Sequence, residues 1–249
     1  MEKSVWYLSG TVLLCIVCGF GLAYAVCKLF NSVPAKWFCD YDEEPGEELN
    51  GTRFAFKNVG IIIGTVLSIG YAALLFVYGY SVYALITALI FTILVSVCAS
   101  DIKYTIIPDE LTAALAVVSV LGSVYDIFTN GLFCSRWYHP IIGALSGAGV
   151  IILINLFSRL VFKKDGIGFG DLKLFAAIGI FMGIPGIFIL IYLSILTAFV
   201  CFAFLIITKK LKSDVYYPMG PYICVAAAIF LIFREQITAF TNWYIGLLF

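Results

Sequence analysis

The chain has 249 residues, 63% of them hydrophobic and only 12% charged, and its mean hydropathy is +1.06. Soluble domains carry about 25% charged residues, so these proportions exclude an ordinary soluble fold and indicate an integral membrane protein. The 15 basic and 15 acidic side chains cancel, which leaves no net basic character for nucleic acid, and no such partner is expected.

A helix crosses the hydrocarbon core with about 20 apolar residues, and lipid cannot satisfy open backbone groups. The expected fold is therefore all-α, a polytopic bundle of about eight transmembrane helices. The first span is read at residues 5–30. Its apolar run exceeds a signal-peptide core and has no small-x-small cleavage site. Cys15 and Cys18 form a CxxC there, but a zinc site needs two further ligands and a wet approach. They are read as packing residues, as are Cys27, Cys98, Cys201 and Cys224, and no metal or other cofactor is expected. The following loop reads NSVPAKWFCDYDEEPGEELNGTRFAFKN, with one cysteine, Cys39, and the acids Asp40, Asp42, Glu43, Glu44, Glu47 and Glu48. Such a run is usually a solvated turn.

Spans are expected next at 59–80 and 82–100, the latter closing on CASDIKYTIIPDELT. Pro108 then opens a fourth span, 108–128, and Asp109 sits in its first turn, where the helix dipole favours an acid. Asp109 is therefore read as structural. The fifth span, 139–161, begins at the only histidine, His139, beside Trp137 and Tyr138. A sixth, 171–184, follows the alternating glycines Gly166, Gly168 and Gly170 and starts at Asp171. The sequence Gly183-Ile184-Pro185-Gly186 breaks it from a seventh at 186–208. The eighth is placed at 219–234, and the closing TNWYIGLLF is placed in the interface, where Trp243 and Tyr244 would anchor it.

Eight spans put alternate loops on one side. Twelve basic residues then fall on one face: Lys28, Lys36, Arg53, Lys57, Lys103, Arg159, Lys163, Lys164, Lys173, Lys209, Lys210 and Lys212. Lys3, Arg136 and Arg234 fall on the other. This bias puts the loops around 31–58, 101–107, 162–171 and 209–218 in the cytoplasm and both termini outside.

Two acids, Asp101 and Asp171, then share one membrane face. Charged groups at such positions inside a bundle are functional candidates. The glycines before Asp171 allow irregular backbone, tolerated at membrane depth only inside protein or along a watery cavity. Two carboxyls that share one proton activate water in aspartic proteases. Asp171 opens a helix and Asp101 closes one, so the dipoles favour Asp171 as base and Asp101 as acid, although such a pair titrates as a unit. His139, on the opposite face, cannot serve a Ser or Cys nucleophile near the acids.

The segments Asp101-Ile-Lys-Tyr-Thr-Ile-Ile-Pro108-Asp109-Glu-Leu-Thr, Gly168-Phe-Gly170-Asp171-Leu-Lys173-Leu and Tyr217-Pro-Met-Gly220-Pro221-Tyr resemble, in order, three signatures of bacterial type IV prepilin peptidases, GxGD aspartic proteases. The resemblance covers residues 60 to 235. It implies an aspartic endopeptidase that cuts the basic leader from type IV prepilins or pseudopilins at the cytoplasmic face of the bacterial inner (plasma) membrane. It implies catalytic roles for Asp101 and Asp171, and a substrate cleft formed by Gly168, Gly170, Lys173, Pro108, Asp109, Gly220 and Pro221. Residues 1–58 would then be a first helix plus an acidic cytoplasmic loop, and residues 59–249 the peptidase membrane domain. Many family members carry two CxxC pairs in a longer loop, linked to methylation of the trimmed pilin. With Cys39 alone that zinc element cannot be built, so N-methylation is not expected. The acids of this loop offer an alternative role as an electrostatic guide for basic leaders, sensitive to salt.

Two other functions compete. A presenilin-type protease carries Pro-Ala-Leu near its last span, whereas this chain has Met-Gly-Pro. A proton-coupled transporter often shows internal repeats and a midplane site, and here no repeat is visible and both acids lie at one face.

Overall fold

The computed structural model describes residues 2–39, 46, 51–129, 131–163, 166–210 and 217–248. The six acids between positions 40 and 48, together with Lys164 and Lys212, lie outside the described residues. The elements are the helices α1 (Glu2–Ser32), α2 (Ile61–Tyr78), α3 (Val82–Tyr104), α4 (Asp109–Phe128), α5 (His139–Phe162), α6 (Phe169–Ile207), α7 (Gly220–Ile232) and α8 (Arg234–Leu248). A 3₁₀ turn at Ala35–Phe38 and a π turn at Phe56–Gly60 lie between α1 and α2. No strand occurs among the described residues. Among the described residues, six helices are long and apolar enough to cross a membrane, or seven if α7 and the start of α8 form one bent span. Their outer faces are apolar: Phe76 is 92% exposed and Ile207 80%. That is the surface expected of a body solvated by hydrocarbon rather than water.

Local signals set the ends. Ser81 caps α3 by accepting from the Ala84 amide (3.2 Å), as N-cap serines do. Thr105 ends the same helix in a left-handed conformation, φ 56°. Pro140 stands in the first turn of α5, where its missing N–H leaves no helical bond unmade.

Contacts along the bundle trace the path. At one end, Thr11 of α1 shares a hydrogen bond with Tyr80 beyond α2 (2.7 Å). There Tyr78 also donates to the Leu231 carbonyl at the end of α7 (2.7 Å). At the other end, Asn31 of α1 bonds Phe54 (2.9 Å), Asn155 of α5 bonds Ile167 (2.9 Å), and Gly220 abuts Asp101.

The 39 residues of α6 would be about 58 Å long if straight, nearly twice the roughly 30 Å of the hydrocarbon core. Gly183 resolves this: at φ 65°, ψ −167° it breaks the helix, at the interruption expected from the sequence. Its first arm runs antiparallel to α5, with Gly179 against Gly143 and Phe175 against Gly147. Gly183 packs beside Phe133 and His139, at the end far from Asp101. The second arm returns, and Thr197 and Cys201 meet Tyr222 near the start of α7 (3.2 and 3.5 Å). Counting the two arms separately divides α6 into the expected sixth and seventh segments, while the expected eighth, α7, has only 13 residues and is bent into α8. The start of α8 bends 88° from α7, so the last segment leaves the bundle direction, as an interfacial helix would. Trp243 within it is 60% exposed.

Candidate active site

Asp101 lies in the last turn of α3. Its carbonyl accepts from the Thr105 amide (2.8 Å), and the neighbouring Ser100 hydroxyl donates to the Ile106 carbonyl (2.9 Å). These bonds fold the chain back sharply into Pro108 and α4. Asp171 is the third residue of α6, whose N-cap, Gly168, is extended. From that position a carboxylate reaches back to the N-cap amide, half of a capping box, and the Gly168 backbone is hydrogen-bonded to it. Gly170 approaches Ile107 so closely that a Cβ would sit 3.2 Å from the isoleucine's own. Asn155, on α5, holds the loop from the side. It donates to the Ile167 carbonyl, and its own carbonyl accepts from the Gly166 and Ile167 amides (2.9, 3.1 and 2.9 Å).

Both acids are buried, at 4% and 5% exposure, and they line one cavity of about 790 Å³. Asp101 Oδ2 and Asp171 Oδ1 are buried without a hydrogen-bond partner among the described residues. Buried polar atoms are nearly always satisfied, so each acid presents one oxygen free to hold a proton, a water or a substrate group. Gly220 fits against Asp101, and a Cβ there would collide with the carboxyl.

The structure gathers most of the expected cleft residues. Pro108, Asp109, Gly168, Gly170 and Lys173 line the same cavity as the two acids. Gly220 and Pro221 do not; they occupy the first turn of α7, and that wall is made by Pro218 and Met219. Asp109 does more than complement a helix dipole, because its carboxylate accepts from the Lys173 ammonium (2.6 Å). This ion pair ties the start of α4 to the start of α6. Lys173 also lies over the Phe169 ring, 4.7 Å from its centroid.

His139 stacks edge-on to Tyr138 (5.0 Å), at the end of the bundle away from the acids. Cys15 is buried and Cys18 exposed, so only the first of the CxxC pair packs inside the bundle. No metal-holding cluster is found among the described residues. Sequence reading did not single out Asn155, nor Lys36 and Trp37, which line the cavity from the α1–α2 connection. It also overlooked Asp126, a fully buried acid at the far end of α4. Its carboxylate accepts from Tyr83 (2.7 Å) and from the amides of Leu132 (2.8 Å), Phe133 (2.7 Å) and Cys134. The three amides belong to the turn between α4 and α5 and Tyr83 to α3, so Asp126 anchors that turn against the start of α3.

Residues 88–207, which include both cavity acids, match the type IV leader peptidase family. Among curated proteins, a prepilin leader peptidase/N-methyltransferase of Legionella pneumophila is 31% identical over 173 residues, 68% of this chain and 56% of the relative. Proteins of the same description from Aeromonas hydrophila and Pseudomonas aeruginosa are each 29% identical, covering 64% and 71% of this chain. The matches span little more than half the length of these relatives, 52% and 58% for the last two. No solved structure matches the chain significantly.

Proposed function

We propose, for a chain related to the bacterial prepilin leader peptidases, that Asp101 and Asp171 form the catalytic pair of an aspartic endopeptidase. The observation that carries this reading is the pair of unpartnered carboxyl oxygens, one from each acid, in a single cavity. Two carboxyls in that arrangement share one proton. The ionised member, assigned as Asp171, takes a proton from water as its oxygen attacks the scissile carbonyl carbon. The protonated member, assigned as Asp101, gives its proton to the carbonyl oxygen. The tetrahedral intermediate then collapses: Asp171 gives its proton to the leaving nitrogen as the C–N bond breaks, and a hydroxyl of the intermediate returns its proton to Asp101, which restores the pair's single proton. Lys173 and Asp109 hold α4 and α6 in register at the cleft mouth and take no part in proton transfer.

The substrate class is a type IV prepilin or pseudopilin, cut on the cytoplasmic side of the bacterial inner membrane. The orientation rests on the lysines and arginines gathered around the cleft end of the bundle. The relatives' description names a second activity, N-methyl transfer. The α1–α2 connection holds the single cysteine Cys39, and only the peptidase activity is assigned here.

The test is to incubate vesicles containing the purified chain with a leader-bearing prepilin and to read the product by mass spectrometry. We expect a single cut at the leader junction, and cleavage in inside-out but not right-side-out vesicles. An intact prepilin in both preparations would overturn the reading. Cleavage confined to right-side-out vesicles would overturn the orientation alone.

A further inference from the structure

The cavity that holds the two acids has a wall from outside residues 88–207. Pro34, Lys36, Trp37 and Cys39 of the α1–α2 connection line it beside Asp101 and Asp171. This stretch is fastened from several directions. Phe38 is 3% exposed and sits within an aromatic cluster, 5.5 Å from Phe30, 6.4 Å from Phe54 and 5.0 Å from Tyr104. Arg53, 8% exposed, donates to the carbonyls of Phe30 (3.0 Å) and Val33 (2.6 Å) at the end of α1. Its guanidinium lies 5.4 Å from the centre of the Phe38 ring. Asn31 bonds the backbone of Arg53 and Phe54 three times, at 2.8 to 2.9 Å. Lys103, two residues after Asp101, donates to the Arg53 carbonyl.

A buried guanidinium is desolvated at a cost and persists where bonds compensate it. Here those bonds fix a short turn whose half-buried Trp37 faces the acids' cavity while its neighbour Phe38 plugs the aromatic cluster. An indole presents a broad, rigid apolar face with one N–H donor, suited to hold an extended peptide at little entropic cost.

We propose that Pro34–Cys39 is a substrate-seating wall of the cleft and that Trp37 is a positioning residue, setting the peptide's register over Asp101 and Asp171. The inference rests on the peptidase reading above and assigns it a new element. Trp37 acts on binding and placement of the chain to be cut, and Arg53 acts through the wall it holds.

The test uses the full chain in vesicles with a leader-bearing prepilin and has two arms. In the first, Trp37→Ala should raise KM at least about fivefold with kcat changed less than threefold, and Trp37→Phe should return KM to within about twofold of wild type. In the second the wall is left unsubstituted. In an Asp171→Asn protein, saturating prepilin should slow maleimide labelling of the native Cys39 at least about fivefold, with Cys39→Ser giving the background from the other thiols. An unchanged KM in Trp37→Ala, or Cys39 labelled equally fast with and without prepilin, would overturn the wall while leaving the peptidase intact. Failure of the wild-type chain to cut any prepilin would overturn both.

Discussion

Asp126 and Asp101 are both buried carboxylic acids near the ends of apolar helices, yet their surroundings assign them opposite roles. Every oxygen of Asp126 is engaged, by a tyrosine hydroxyl and three amides. Asp101 keeps one oxygen without a partner. A satisfied carboxylate fixes structure, and an unsatisfied one in a cavity is available for chemistry. Asp126→Ala would orphan three amides and leave the Tyr83 hydroxyl with Thr129 (2.7 Å), a loss on the order of 3 kcal/mol in stability. The adjacent Cys134 reports on it. Burial, and secondarily the Asp126 carboxylate, push the Cys134 thiol up to about 12, so at about pH 8 it is a buried thiol rather than a reactive thiolate. We expect slow alkylation of Cys134 in the wild-type chain, rapid alkylation in Asp126→Ala, and a melting temperature several degrees lower in that variant. Unchanged labelling would remove the anchoring role. The sequence made Asp101 and Asp171 legible because each stands beside glycines, prolines or other polar residues at a span end. Asp126 was not legible. Its partners are amides of a turn whose shape no residue pattern announces. Asn155 was missed for a similar reason: a lone amide in an apolar helix says nothing of the loop it will meet.

Helix pairing decides how the acids reach one another. The first arm of α6 is held against α5 by glycine-to-backbone contact, Gly143 on the Gly179 carbonyl and Gly147 on that of Phe175. Between membrane helices, where hydrocarbon offers no hydrophobic drive, such close approach is a main source of attraction. Gly143→Ala must part the two helices, whereas a Cβ at Gly149, on the same helix, meets nothing within 4 Å. We expect Gly143→Ala to lower the melting temperature and the folded yield in detergent, by overpacking worth about 1–3 kcal/mol. Gly149→Ala should be neutral or slightly stabilising. Equal effects at both sites would show that the contact is not what holds α6. The break at Gly183 was readable from Gly-Ile-Pro-Gly, because a helix does not continue smoothly through that sequence. The right-angled turn into α8 carried a weaker signal, the change from an apolar run to Arg234-Glu235-Gln236.

Across the whole molecule, the helices bring the end of α3 and the starts of α6 and α7 to one face, where the cleft opens. Thr11 of α1 and the end of α7 lie at the opposite end. Hydropathy made the order of the apolar helices readable, since span length is a property of the sequence itself. The lining of the cleft was only partly readable. Trp37 and Lys36 lie more than 60 positions before Asp101, and only the clasp of Asn31, Arg53 and Lys103 brings them there. The account depends on Asp101 and Asp171 acting together on one water. The most direct measurement is the initial rate of prepilin cleavage by the wild-type chain and by Asp101→Asn, Asp171→Asn and Asp109→Asn, each at matched folded amounts. Loss of about 1,000-fold or more in each of the first two, with Asp109→Asn within about tenfold of wild type, is the expected result. An Asp101→Asn or Asp171→Asn protein that keeps a tenth or more of the wild-type rate would contradict it.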